Sequence, residues 1–289
     1  MGMLRILDKR TSRDGATKYL FGLEDGTRIE PVFLEMNRDN KDSVCISSQA
    51  GFASKCTFCS TGTLGLSRNL STTEIAAEVH TVFSDLDFRP TRCFDLSYME
   101  MSESLLNLKR VIESKELVDA AGWKINYCLS TDGIPSKIRE LSANSPDFSL
   151  QISLHAPNDE LRSSIIPINR EHPIEAVLTA AEEYASASGR LVILNYCSIE
   201  GANDKLTYAS DLARLIEHRP FRVQVVRLNG HPSIAHYPGA KRERWRSWMP
   251  LIEPASVLIM EFNAESTKGP DAGSSMLITK LMSYENRCC

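Results

Sequence analysis

Cys45-Ile-Ser-Ser-Gln-Ala-Gly-Phe-Ala-Ser-Lys-Cys56-Thr-Phe-Cys59-Ser-Thr-Gly62 begins inside a strand-like run, Ser43 to Ile46, and opens into a loop rich in small residues. Two thiols, Cys56 and Cys59, stand at Cys-x-x-Cys spacing in that loop. Thiolates so spaced can bind one metal ion or iron–sulfur cluster, because the turn between them points both sulfurs inward. Read on its own, the pair leaves three options: metal or cluster ligation, a redox dithiol, or accidental spacing.

Upstream, residues 1–47 read as a small β unit. Tyr19 to Leu23, the dipeptide Asp25-Gly26, and Thr27 to Leu34 form a hairpin pattern with a favoured Asp-Gly turn. Downstream the pattern changes. Ser71-Thr-Thr-Glu74 is a capping-box signal ahead of an apolar-periodic helix, Ile75 to Phe83. Strand-like runs then recur at Arg92–Met99, Trp123–Leu129, Phe148–Leu154, Leu191–Ile199 and Phe221–Leu228. Helical segments near Leu105–Ala120, Pro135–Ala143, Pro173–Ser188 and Asp204–Glu217 separate them, and a helix at Arg242–Leu251 and a strand at Ser256–Phe262 follow. Such alternation predicts a parallel sheet with helices outside, open or closed into a barrel, with function at the C-terminal strand ends. The expected domains are a hairpin extension (1–47), the α/β unit (48–262) and a C-terminal segment and tail (263–289). No internal repeat, low-complexity stretch or linker marks a second large domain.

The 289 residues, 42% hydrophobic and 24% charged, describe an ordinary globular chain. No apolar run approaches the ~20 residues a membrane helix needs, and Met1-Gly-Met-Leu-Arg5 lacks a signal-peptide layout. Eight irregularly spaced cysteines fit a reducing cytoplasm better than a disulfide framework. The net charge of −4 provides no global basic field for a phosphate backbone. The expectation is a cytoplasmic monomer without a membrane partner.

The cysteine stretch, with Gly65-Leu-Ser-Arg-Asn-Leu70 after it, resembles the RlmN/Cfr family of radical SAM RNA adenine methyltransferases. That family reads Cys-x-Ser-Ser-Gln-x-Gly-Cys-x-x-x-Cys-x-Phe-Cys-Ser-Thr-Gly. The resemblance runs from about Thr17 to about Asn229. It implies a partial (β/α)6 radical SAM-type barrel, S-adenosylmethionine and a [4Fe-4S] cluster as cofactors, and rRNA or tRNA as partner. It assigns Cys56 and Cys59 to the cluster. Glu30 matches a proton acceptor, though a strand glutamate is otherwise a solvated residue. Cys45 matches a cysteine that helps resolve the covalent RNA adduct, though it also reads as a buried strand cysteine. Met99-Glu-Met-Ser-Glu-Ser-Leu-Leu-Asn107 matches the family's Met-Gly-Met-Gly-Glu-Pro-Leu-Leu-Asn, which places Ser102 and Glu103 at the cofactor. Ser130 in Leu129–Gly133, then Ser153, Leu154 and His155 in the Ile152–Arg162 block, and Asn229 match further cofactor-contacting positions.

The chain departs from that pattern in several places. Phe52 stands where the family has its first cluster cysteine, and an aromatic ring donates no electrons to iron. A third thiolate would have to come from Cys45, Cys93 or Cys128. Glu100 and Ser102 replace glycines and are expected to crowd the cofactor. Aligning Thr267-Lys-Gly-Pro-Asp271 places Met276 where the methyl-carrying cysteine belongs, leaving Cys288 or Cys289 to reach back. The family's N-terminal helical RNA-holding domain is not expected in this chain. The competing readings are a divergent methyltransferase-like enzyme, a catalytically inactive member acting in binding or regulation, and a zinc or redox protein on an unrelated α/β scaffold.

Overall fold

The computed structural model describes residues 2–12, 15–35, 41–228, 232–238, 248 and 257–259. The chain opens with β1 (Arg5–Thr11), β2 (Ala16–Gly22), β3 (Arg28–Ile29) and β4 (Val32–Leu34). The predicted hairpin is present, with β2 pairing antiparallel to both β3 and β4. Gly26 takes φ +85° in its turn, and the Thr27 amide donates to Asp25 Oδ1 at 2.9 Å. The solvent-exposed β1, which the sequence reading did not place, pairs antiparallel to β2.

From β5 (Ser43–Ile46) the sheet turns parallel. The ribbon β6 (Gln49–Gly51) and β7 (Leu66–Asn69) forms a separate two-stranded sheet that closes the cysteine loop. Gly51 is required there: it has φ +96°, and a Cβ would collide with the Gly65 carbonyl oxygen. The chain continues through α1 (Thr72–Asp85), β8 (Phe94–Tyr98), α2 (Leu108–Asp119), β9 (Ile125–Thr131), α3 (Pro135–Asn144) and β10 (Ser149–Ser153). Then come α4 (Asp159–Ile165), α5 (Ile174–Ser188), β11 (Val192–Ser198), α6 (Leu206–Ile216), β12 (Phe221–Arg227) and β13 (Val257–Ile259). The main sheet runs β1-β2-β4-β5-β8-β9-β10-β11-β12-β13. Its six parallel strands β5 to β12, extended by β13, make the partial barrel. The short helix α4 is absent from the sequence reading, and the helix predicted at Arg242–Leu251 lies outside the described residues apart from Trp248.

Period-two alternation gives the two faces of this sheet opposite chemistry. Val44, Leu96, Leu129, Ile152, Leu194 and Val223 belong to the main core, packed with helix residues such as Ile75, Val79 and Val177. Burying each such side chain contributes roughly 1.5–3 kcal/mol. The alternate positions are polar. Cys45, Ser97, Cys128 and Ser149 share one register line, and Ser153 pairs with Asn195, which pairs with Gln224. The helix-facing side holds the fold together, while the inner side is left polar. Among the described residues no helix is long and apolar enough to cross a membrane.

The predicted capping box starts α1. Ser71 Oγ accepts from the Glu74 amide at 3.3 Å, and Glu74 Oε2 accepts from the Ser71 amide at 2.8 Å. Ser71→Ala is expected to cost about 1 kcal/mol, read as a lower midpoint in urea denaturation with an unchanged slope. An unchanged midpoint would show that the cap contributes nothing.

Candidate functional site

A cavity of about 140 Å³ opens at the C-terminal ends of the parallel strands. Ser130, Ser153 and Asn195 reach it from the inner faces of β9, β10 and β11. Ser102, Glu103 and His155 reach it from the loops after β8 and β10, and Cys56 and Cys59 from the cysteine loop. Seven of the residues named from the sequence therefore meet in one place. Leu154 does not line it: its side chain joins the main core, and its carbonyl accepts from Arg162 Nε at 3.1 Å. Glu30 and Cys45 lie off the cavity surface, next to Glu100, which does line it. Asn229, Met276, Cys288 and Cys289 lie outside the described residues.

Backbone groups lock the acidic wall. Glu103 accepts from the Leu105 amide at 3.1 Å and from the Asp132 amide at 2.7 Å, and its own amide donates to Gln49 Oε1 at 2.9 Å. Asp132, which the sequence reading passed over, accepts from Cys56 Sγ at 3.3 Å. Burial raises the pKa of both acids, and the Asp132 charge adds to the rise at Glu103. Ser102 does not crowd the cavity as predicted. Its hydroxyl turns back to accept from the Ser48 amide at 3.2 Å and lies 3.3 Å from Ser104 Oγ. Glu100 does project to the wall, 3.9 Å from Lys18 Nζ, which itself pairs with Glu30 at 2.6 Å.

His155 adopts φ +55° and is buried, with its ring edge-on to Phe58 at 5.0 Å. Its Nδ1 accepts from the Cys197 amide at 2.8 Å, so the neutral ring carries its proton on Nε2. Burial, then the nearby Arg162 charge, pulls its pKa down to about 3. Ser130 Oγ and Asn195 Oδ1 are buried on the cavity without a hydrogen-bond partner among the described residues. Leaving such groups unsatisfied costs roughly 1–3 kcal/mol each, so the polar wall fits a ligand rich in hydrogen-bonding groups, as S-adenosylmethionine is.

The thiol corner has a different character. Phe52 is buried in an apolar cluster with Cys56, Phe58, Ile165, Ile166 and Ile199, and Cys59 packs against it. Cys197, which the sequence reading did not single out, belongs to the same cluster. Burial, and then the neighbouring Cys59, push its thiol up. Cys45 and Cys128 instead sit deeper on the inner face, either side of Ser97, and Cys93 precedes the N-terminal end of β8. Burial also raises the pKa of Cys56 and Cys59. Among the described residues no group of three or more His, Cys, Asp or Glu side chains is placed to hold a metal ion. The cysteine loop itself offers two thiols, Cys56 and Cys59, with the Phe52 ring packed beside them.

A strand-end cavity on a partial β/α barrel, reached by a Cys-x-x-Cys loop, defines a radical SAM-type protein. A crystal structure of a radical SAM methyltransferase from Sphaerobacter thermophilus has a TM-score of 0.84 to this chain at 29% identity, covering 92% of this chain and 80% of that one. The chain is 41% identical over 229 residues to the probable dual-specificity RNA methyltransferase RlmN of Dictyoglomus thermophilum, covering 78% of this chain and 65% of that protein. It is 36% identical over 253 residues to the dual-specificity RNA methyltransferase RlmN of Alkalilimnicola ehrlichii, covering 86% of this chain and 69% of that protein. No family model matches it. The chain belongs to the RlmN family and spans about two thirds of the length of these relatives.

The His155 environment predicts a pH response of definite sign. Its folded pKa is about 3 against 6.5 for the free side chain, so only the unfolded chain takes up this proton between those values. The stability contributed is full above pH 6.5 and falls as pH drops toward 3, by at most about 1.4 kcal/mol per pH unit. The buried acids run the opposite way, so the measurement is a difference. The stability gap between the wild type and His155→Gln should narrow steadily from pH 6.5 to 4.5, and the His155 ring proton shift should stay flat there. A ring that titrates near pH 6.5 would refute the assignment.

Proposed function

We propose that this chain is a ligand-binding member of the RlmN family that takes S-adenosylmethionine in the strand-end cavity and does not carry out radical methyl transfer to RNA. One observation carries the reading: Phe52 fills the corner beside Cys56 and Cys59 with apolar contacts. A [4Fe-4S] cluster belongs to the chemistry implied by this class. The cysteine loop would supply it with two thiols, Cys56 and Cys59, and with the Phe52 ring where a third thiolate is needed. For S-adenosylmethionine the fit is better: Ser130, Ser153 and Asn195 offer hydrogen-bonding groups, and Glu103 a backbone-fixed carboxylate. That cofactor supplies an activated methyl group on a sulfonium centre. RNA is the substrate class named for the relatives, and we infer that RNA, or a complex containing it, is the partner that this chain binds rather than modifies.

Cys197 supports a second reading. It shares the apolar cluster with Cys56, and a third thiolate from β11 would give a methyltransferase with altered ligation. Anaerobic reconstitution with iron and sulfide separates the two. The wild type is expected to retain little iron, and Phe52→Cys to retain much more, because restoring a missing ligand also closes the site. Near-stoichiometric iron in both proteins, lost in Cys197→Ala, would establish the second reading. Supplied with S-adenosylmethionine carrying a labelled methyl group and a strong reductant, the wild type is expected to leave RNA unlabelled. Labelled adenine would overturn the proposal.

A further inference from the structure

Two buried carboxyl groups, Glu103 and Asp132, and the half-buried Glu100 face one cavity. Two of them are already committed. Glu103 accepts two backbone amides, and Asp132 accepts the Cys56 thiol. The nearby Arg162 charge favours the ionised form of Asp132, while its guanidinium donates to the carbonyls of Asp132, Ser153 and Leu154 and to Asn169 Oδ1. Glu100 is different. Its ion-pair contact among the described residues is Lys18 at 3.9 Å, and Lys18 lies closer to Glu30, at 2.6 Å. One ammonium therefore serves two carboxylates, and the cavity-lining member of the pair has the longer contact. A half-buried carboxylate on a cavity wall, holding only the longer share of one ammonium, is short of a cation.

We propose that Glu100 is a specificity-determining residue of the cavity, whose carboxylate meets a cationic centre, ammonium or sulfonium, of the bound ligand. The inference rests on the reading that the cavity takes an adenosyl compound, and it adds which of them: charged sulfonium or amino compounds over neutral ones. The groups facing Glu100 are consistent with this. Lys18 from β2 lowers its pKa and Glu30 raises it, while burial dominates and brings the carboxyl up to about 7. Glu78 of α1 and Cys45 of β5 are the other titratable neighbours, and neither brings a positive charge. A cation entering the cavity would favour the ionised form of Glu100 and be favoured by it in turn.

The test uses the full chain and three ligands measured by calorimetry. S-adenosylmethionine carries sulfonium and ammonium, S-adenosylhomocysteine the ammonium alone, and 5′-methylthioadenosine neither. In Glu100→Gln, affinity for S-adenosylmethionine should fall at least about tenfold, as expected when a charge-assisted contact becomes neutral, while 5′-methylthioadenosine binds as before. That unchanged arm also shows that the variant is folded. Wild-type affinity for S-adenosylmethionine should rise between pH 6 and 8, and the variant should lose that Glu100-dependent rise. An equal loss for all three ligands, or no loss for S-adenosylmethionine, would overturn the proposal and leave the adenosyl reading standing. A wild type that binds none of the three would overturn both.

Discussion

The guanidinium of Arg162 is wholly buried, and its hydrogen bonds go to main-chain carbonyls and one amide. The carbonyls of Asp132, Ser153 and Leu154 belong to the ends of two neighbouring strands, β9 and β10. One planar group thus fixes the spacing of two strand ends where the ladder stops and backbone acceptors would otherwise be unsatisfied. Asn169 orients the guanidinium and is held by Asp159 and Ser163. The same Asp132 backbone unit is gripped from the other side, where its amide meets Glu103. Glu103 leads on to Gln49, and Gln49 Nε2 donates to Asn69 Oδ1 at 2.7 Å across the ribbon that closes the cysteine loop. Taking Arg162 away would strand acceptors at the centre of this network, and the cavity wall would lose its reference point.

Much of the fold was legible because its signals are local. The Asp25-Gly26 turn, the Ser71 cap and the alternation of apolar runs with amphipathic helices each concern residues a few positions apart. The convergence of Glu103, Ser130, Ser153 and His155 on the candidate site was legible too, since all four sit in recognisable strings at strand ends. What escaped depends on residues distant in sequence. Cys197 comes near Cys59 only because β11 lies beside β10 with Asn195 opposite Ser153. Glu100 meets Lys18 across the whole hairpin extension. The inner face of the barrel was hidden for another reason. Ser97, Asn126, Cys128 and Gln151 are scattered polar positions along separate strands in the sequence, and only the parallel register brings them onto one face. The crowding expected from Ser102 failed because a short hydroxyl can turn back onto a backbone amide, whereas the longer Glu100 side chain makes no such contact among the described residues and reaches the wall.

The two halves of the cavity obey different physics, and this bears on which functions can be separated. Around Phe52 the thiols of Cys56, Cys59 and Cys197 behave as small apolar groups, and burial keeps them protonated. Metal binding there would require losing those protons and opening packed contacts, so the burial that stabilises the corner opposes ligation. The polar half gains nothing from that packing. Its acids, its neutral imidazole and its unsatisfied Ser130 and Asn195 atoms are held by Arg162, Glu103 and the strand register. None of those supports passes through Phe52. The polar half of the cavity is therefore built independently of the apolar packing around Phe52, although the two lie side by side in one cavity.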